Sequence, residues 1–258
     1  MTQPGKAPDD GVRERQQQIA ANLRALILSG DLRAGERLPS TADLMAQYGV
    51  SDKTVQRALS ILKAERFVEG RAGVGVFVTA HQPAVMHSSH YPIPADKGQP
   101  YPWITEHVSR GHTAKSDLRL VGEVPAPAEV AAAYELDLGT PVVVRHQLLK
   151  LDNEPAELVW SYYRTDMARG TQLAEPRKIK GGTPVVLAAL GYPLRNAVDL
   201  VLTRLATVDE FTALQLPEDM PVLRQFRVVY SDHQQPVEVT VMVKAGQKYQ
   251  IQYDLPEQ

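Results

Sequence analysis

From Trp103 to the C-terminus the chain runs through the same order of local signals twice, and this duplication most constrains what it can fold into. Val121-Gly-Glu-Val-Pro-Ala-Pro-Ala-Glu129 lies over Leu202-Thr-Arg-Leu-Ala-Thr-Val-Asp-Glu210. Helical runs follow, ending at Leu136-Asp-Leu138 and Leu214-Gln-Leu216, and Pro141-Val142 and Pro221-Val222 then open strands. These strands reach Asp152-Asn-Glu-Pro155-Ala-Glu157 and Asp232-His-Gln-Gln-Pro236-Val-Glu238, with the two halves offset by 80 or 81 residues. Thr207-Val-Asp-Glu210 is a capping-box pattern, which marks a helix start. Each half therefore reads strand, helix, strand, turn, strand. Two such halves merge into one mostly antiparallel sheet with helices packed on one face, an α+β domain.

The first third of the chain has a different grammar. Ile19, Leu23, Leu26 and Ile27 recur at helix spacing, with Gly30 where a C-terminal cap belongs. Ser40 caps a second short helix with Leu44, Met45 and Tyr48 on its apolar side, and Gly49 breaks it. Ser51 opens a third helix whose buried face is Val55, Ala58, Leu59 and Leu62. Phe67-Val68-Glu69 and Val76-Phe77-Val78 are two β runs joined by Gly70–Gly75, which is a hairpin. Three helices and a hairpin in so short a span make a winged helix-turn-helix, whose third helix enters a major groove. Lys53, Gln56 and Arg57 form the outward face of that helix, and Arg71 sits on the wing. Gln pairs with adenine, Lys with guanine or phosphate, and a wing Arg suits phosphate or the minor groove.

These two blocks divide the chain of 258 residues into a tail (1–11), a DNA-binding domain (12–79), a linker (80–102) and a larger domain (103–258). The tail is polar with Pro and Gly, and residues 79–102 hold five prolines. Residues 1–79 carry 11 Lys/Arg against 9 Asp/Glu, and the remainder 17 against 21. DNA contact must therefore come from local placement of charge rather than bulk attraction. There is no cysteine, no apolar run long enough to span a bilayer and no signal-peptide core, so a cytoplasmic location without membrane contact is expected.

Ile27-Leu-Ser-Gly30-Asp-Leu-Arg-Ala-Gly35-Glu-Arg-Leu38-Pro39-Ser40 resembles the signature of the GntR family of bacterial regulators. Val50-Ser51-Asp-Lys-Thr54-Val55-Gln-Arg-Ala58-Leu59 and Gly73-Val-Gly75-Val-Phe77-Val78 continue that signature in order. The resemblance implies that Leu38, Pro39, Ser40, Thr41, Ser51, Lys53, Thr54, Gln56, Arg57, Arg71 and Gly73 lie against double-stranded DNA. Two positions depart from the pattern. Ala42 and Asp52 stand where many members have Arg, so the operator should differ from theirs.

Residues 103–258 resemble the UTRA ligand-sensing domain of the HutC branch, whose fold is similar to chorismate lyase. Gly139-Thr-Pro141-Val, Asp152–Glu157, Pro221-Val-Leu, Arg227, Pro236-Val-Glu238 and Tyr253 carry the likeness. Ser161-Tyr-Tyr163 and the stretch Leu173–Thr183 look like actinobacterial members. The likeness implies a homodimer and a pocket holding Arg145, Glu157, Thr183, Arg204, Arg227, Glu238 and Tyr253. Gln147 shares a strand face with Arg145, and Arg227 matches Gln147 in the second repeat. Acids and guanidinium groups around one cavity suit a small polar, anionic metabolite. Gln147 stands where some relatives have a basic residue, which weakens the expectation of a phosphate. Arg and Glu on neighbouring strands also pair with each other without any ligand, and that reading stays open.

No catalytic residue, cofactor loop or metal site is expected. Gly73-Val-Gly75 is too short for a nucleotide loop, no nucleophile elbow is present, and His81, His87 and His90 lack acids or thiols at ligand spacing. The expected function is a dimeric repressor on a palindromic operator, released by a metabolite. Competing readings are a larger domain that only dimerises, and a lyase-like enzyme.

Overall fold

The computed structural model describes residues 8–80, 83–87 and 100–253, and it divides into two compact units, Met1–Pro83 and Ala84–Gln258. In the first unit, helices α1 (Pro8–Ser29), α2 (Thr41–Tyr48) and α3 (Asp52–Ala64) precede strands β1 (Val68–Arg71) and β2 (Gly75–Val78). Side chains at i, i+4 and i+7 of the third helix (Val55, Leu59 and Leu62) meet Ile19 and Leu23 of the first in one apolar core. A bidentate pair reinforces it: Arg24 donates to the buried Glu65 carboxylate at 2.7 and 2.6 Å. Gly49 ends α2 in the left-handed region (φ 62°), where a β-carbon is costly, and this sets the turn into α3.

The second unit is built on one antiparallel six-stranded sheet. Its strands are β4 (Ala114–Pro125), β5 (Pro141–Leu151), β6 (Glu154–Arg164), β7 (Asn196–Leu205), β8 (Pro221–Tyr230) and β9 (Pro236–Ala245). They lie in the order β4-β5-β6-β9-β8-β7, so each repeat supplies three consecutive strands and the repeats join along β6–β9. Asp152 (φ 51°) and Asn153 (φ 67°) make the tight β5–β6 turn, with the positive φ values a two-residue hairpin demands. Pro125 pairs with Pro141 and Leu205 with Pro221, so the first strands of the repeats superpose one residue away from the offset of 81 suggested by the sequence match.

Elements cover both faces of this sheet, where the sequence predicts helices on one. Helices α5 (Ala128–Ala133) and α8 (Val208–Leu214), the matching helices of the repeats, pack on the face carrying Val142, Val144, Leu158, Val222 and Val239. The opposite face is covered by β3 (Ala84–His87), α4 (Pro102–Ser109), α6 (Thr165–Ala168), α7 (Thr183–Ala189) and β10 (Tyr249–Gln252). The covering elements come mainly from outside the repeated segments, so the internal match carries no signal for them. β3 pairs in parallel with β10, and Ala84 and Met86 enter the core beside Trp103. Part of the expected linker is thus integral to the second unit. In the same way, α1 begins at Pro8, inside the expected tail.

His107 in α4 is fully buried against Trp103 with neither ring nitrogen hydrogen-bonded, and burial pushes its pKa down to about 4. The unfolded chain therefore binds a proton that the fold refuses, and the second unit should lose stability as pH falls from about 6.5 towards about 4. His107→Leu should flatten this loss in urea melts recorded across that range, leaving melts above pH 7 much less changed.

Candidate DNA interface and ligand cavity

The interface begins at two adjacent helix starts. Ser40 and Asp43 form a complete capping box at α2, with Ser40 Oγ accepting from the Asp43 amide (3.2 Å) and the Asp43 carboxylate accepting from the Ser40 amide (3.1 Å). The Ser40 hydroxyl, donating to the Asp43 carboxylate at 2.6 Å, and then the Ser40 amide hold that carboxyl below its ordinary pKa. Ser51 stands at the N-cap of α3 without a side-chain capping bond, and its hydroxyl meets that of Thr54 at 3.1 Å. Burial of Thr54, Val55, Ala58, Leu59 and Leu62 turns Lys53, Gln56 and Arg57 outward. Gln56 Nε2 donates to Thr41 Oγ1 at 3.3 Å, bridging α3 to α2. Pro39, Ser40 and Ser51 are exposed beside this face.

Two of the expected contacts are buried residues. Leu38 and Thr54 are buried in the first unit, Leu38 along the floor of the groove between wing and helices. On the wing, Arg71 is exposed, donates to Glu69 Oε1 at 3.0 Å and stacks on Phe77 with its guanidinium carbon 4.2 Å from the ring centroid. Gly73 (φ 70°) forms the wing tip. A groove of about 650 Å³ lies between wing and helices, lined in part by Arg37, Ser40, Lys63 and Arg71. Sequence reasoning missed Arg37 and Lys63. A β-carbon on Gly75 would stand 2.7 Å from Arg37 Nε, so this glycine lets Arg37 lie along the wing.

In the second unit, a cavity of about 330 Å³ lies over the sheet face opposite α5 and α8. Alternation along the four central strands aims one polar set at it: Arg145 and Gln147 from β5, Glu157 and Ser161 from β6, Arg227 from β8, Glu238 and Thr240 from β9. Tyr101, Trp103 and Thr183 close it from above. Gly182 (φ 84°) is required twice over, since a β-carbon there would also come within 2.6 Å of the Tyr101 ring.

Six expected pocket residues, Arg145, Gln147, Glu157, Thr183, Arg227 and Glu238, line this one cavity. The other two do not. Arg204 forms a bidentate pair with Glu210 at 2.7 and 2.7 Å, and Tyr253 is exposed at the end of the described chain. Tyr101, Trp103 and Tyr163 carry no repeat signal and were not foreseen.

Most of the charge is already matched inside the protein. Arg145 donates to the carbonyls of Gln172 (3.2 Å), Leu173 (3.0 Å), Glu175 (2.9 Å) and Arg177 (2.6 Å), fastening that loop to the sheet. Arg227 grips Asp199, its register partner on β7, at 2.7 and 2.7 Å. Burial pulls the Arg227 pKa down, but the Asp199 hydrogen bonds and charge outweigh it and leave the pKa raised. Lys244 Nζ donates to Glu157 Oε1, again between register partners, and both side chains are shut off from solvent. Burial lowers the Lys244 pKa against the opposing pull of Glu157. The pairing of charges without a ligand, left open by the sequence, thus accounts for two of the cations. Glu238 instead accepts three hydroxyls, from Tyr163 (2.7 Å), Thr183 (2.9 Å) and Thr240 (3.0 Å). Burial, then the Glu238 charge, raises the pKa of both Tyr101 and Tyr163.

Among the described residues no group of three or more His, Asp or Glu side chains is placed to hold a metal. His81, His90 and the His87 side chain lie outside the described residues. No helix among the described residues is long and apolar enough to cross a membrane.

Residues 15–78 match the family model described as bacterial regulatory proteins, gntR family, and residues 109–250 match the UTRA domain. An uncharacterised HTH-type transcriptional regulator of Streptomyces coelicolor is 28% identical over 248 residues, covering 92% of this chain and 91% of its own. The crystal structure of a GntR-family transcriptional regulator superposes with a TM-score of 0.61 at 24% identity, covering 95% of this chain and 98% of the other. PhnF from Mycobacterium smegmatis gives 0.58 at 21% identity, covering 93% and 100%. At that identity the likeness is one of fold.

Lys244→Met alone should destabilise the second unit by roughly 3–5 kcal/mol, because it leaves the Glu157 carboxylate buried without a counter-charge. Combining it with Glu157→Leu should recover most of that loss. Urea unfolding of the two variants checks both expectations; equal stabilities would deny that the pair acts as a unit.

Proposed function

This chain belongs to the gntR family of bacterial regulatory proteins, in its UTRA-bearing, HutC-type branch, and from that premise we propose a ligand-released repressor that binds a palindromic operator as a homodimer. The observation that carries the reading is the outward face of α3. Lys53, Gln56 and Arg57 are exposed on a helix packed from behind by α1 and α2, with the cations Arg37, Lys63 and Arg71 about the wing. Lys and Arg near the wing take phosphate, and Gln56 reads a base edge. The second unit supplies the effector cavity and the dimer contact. The chain acts in the cytoplasm as a regulator, not as an enzyme.

A homodimer is supported by the two edges of the sheet. β4, the edge of the first repeat, carries Lys115, Asp117, Arg119 and Glu123, and charged edges resist strand addition. β7, its counterpart, exposes Val198, Leu200, Val201, Leu202 and Leu205, with Leu200 at 63% and Leu205 at 69%. One apolar edge meets its own copy about a twofold axis, which closes the assembly at two chains. The two heads then match the halves of a palindrome. An effector releases DNA only if it prefers the conformer in which that match fails.

Selection of bound DNA from a random pool should return an inverted repeat, and metabolites added to the winning complex should include one that releases it. A single unrepeated half-site would refute the dimeric mode. Gln56→Ala should relax base preference by about 1–3 kcal/mol at its contacted pair, and Lys53→Ala should reduce the dependence of log K on log salt by about one unit. Leu200→Lys with Leu202→Glu should shift the mass in sedimentation from two chains to one and weaken operator binding; an unchanged dimer would move the interface away from β7.

A further inference from the structure

The cavity's internal accounts show which groups remain for a ligand. Arg145 donates from both terminal nitrogens to four backbone carbonyls, and Arg227 is gripped at both ends of its fork by Asp199. Lys244 lies against Glu157 and does not line the cavity. A dianionic group inside would therefore meet Arg227 already matched by a carboxylate, and Arg145 with both terminal nitrogens already donating to the loop it fastens. Two lining residues, by contrast, keep unmet hydrogen-bonding capacity. Glu157 is 1% exposed, and its Oε2 has no hydrogen-bond partner. Trp103 is 2% exposed, and its Nε1 has none either. One is an acceptor bearing charge, the other a donor, and buried groups of both kinds are costly to leave unsatisfied. A hydroxyl is the simplest group that donates to the first kind and accepts from the second. At its solvent-exposed side the cavity is lined by Lys178 and Lys180, which favour an anion there.

Given that this cavity is the effector site, as argued above, we propose that it takes a small monoanion led by a hydrogen-bond donor. A hydroxyl or ammonium head sits on Glu157 Oε2, with a hydroxyl head also reaching Trp103 Nε1, and a carboxylate tail sits near Lys178 and Lys180. The shared chemistry is the O–H or N–H head, and a hydroxyl satisfies both buried groups where an ammonium satisfies one. Polyhydroxy carboxylates fit best. A volume of about 330 Å³ is at the small end for ligand pockets and matches a molecule of monosaccharide size.

The chain has two tryptophans, and Trp160 lies on the other sheet face, stacked on His146 at 4.4 Å. The full-length Trp160→Phe variant therefore leaves Trp103 as the sole indole reporter. Its emission is titrated with three six-carbon carboxylates, gluconate (hydroxyl head), 6-aminohexanoate (ammonium head) and hexanoate (no donor), and with inorganic phosphate. Gluconate should shift the emission at a concentration at least tenfold below hexanoate, with 6-aminohexanoate between them and phosphate without effect. Adding the charge-neutral exchange Glu157→Leu with Lys244→Met should erase the advantage of gluconate over hexanoate. Lys178→Gln with Lys180→Gln should weaken all three carboxylates alike. Hexanoate or phosphate binding as well as gluconate, or an unchanged preference after the exchange, overturns the proposal. If no probe moves Trp103 while a different metabolite releases the operator, the ligand class is wrong and the effector reading stands. If no metabolite at all releases the operator, both fall.

Discussion

The second unit depends on one buried ion pair at the seam of its sheet. The two repeats meet along β6 and β9, and there Glu157 and Lys244 are direct register partners closed off from solvent. Neither charge is tolerable alone in that setting, because each would bear a desolvation cost without its counter-charge. The pair therefore acts as a register lock. Slipping β6 against β9 by one residue would send every side chain of the strand to the opposite face, moving Glu157 away from Lys244. The same register aims Ser161 and Thr240 at each other, 3.1 Å apart, and brings Glu238 under Tyr163 and Thr183. Sheet register and cavity chemistry are set by the same contacts.

Duplication explains the sheet, and divergence between the copies explains the cavity. Gln147 and Arg227 occupy matching places in β5 and β8, yet Gln147 accepts from Ser116 at 2.5 Å while Arg227 holds Asp199. Glu157 and Glu238 match as well. The first is tied to a lysine, the second to three hydroxyls. A symmetric cavity would offer a ligand the same groups at both ends. This one offers an unmet acceptor near β6 and a saturated carboxylate near β9, so its two ends differ and can orient what enters.

Much of this was legible in the sequence wherever a local rule governs the outcome. The cap at Ser40, the break at Gly49 and the helical spacing of Val55, Ala58, Leu59 and Leu62 dictate the helix pair without reference to distant residues. The repeat allowed the sheet to be read from the Pro-Val pairs and from an Asp followed by Pro-x-Glu, and period two placed Arg145, Gln147, Glu157 and Glu238 on a common face. What failed depended on partners remote in the chain. Arg204 looks like a pocket cation until Glu210 is seen beside it. Tyr101 and Trp103 enter the cavity from a proline-rich stretch with little periodicity, and Lys244 is buried on a strand whose sequence gives no hint of its carboxylate. Leu38 shows that a residue inside a DNA-binding signature can be buried and still border the groove beside the wing.

Arg145 marks the limit of reading chemistry from residue type. A guanidinium facing a cavity invites an anion, but this one already satisfies four carbonyls of a segment with no strand to pair with. The Gln172 and Glu175 carbonyls also accept from the amides of Glu175 and Arg177, while for those of Leu173 and Arg177 the arginine does the work that backbone amides do elsewhere. The segment after it, from Lys178 to Pro184, also lines the cavity and is held at its far end by Thr183 on Glu238. A ligand can shift a conformational balance only through groups whose bonding differs between the two states. Arg145 holds the stretch from Gln172 to Arg177 through its carbonyls, whereas Lys178 to Pro184 is tied by the Thr183 hydroxyl on Glu238 and by the Gly182 amide on the Ile179 carbonyl. The two parts of the cover are thus fastened by different chemistry, one by a guanidinium on carbonyls and the other by a hydroxyl on a carboxylate.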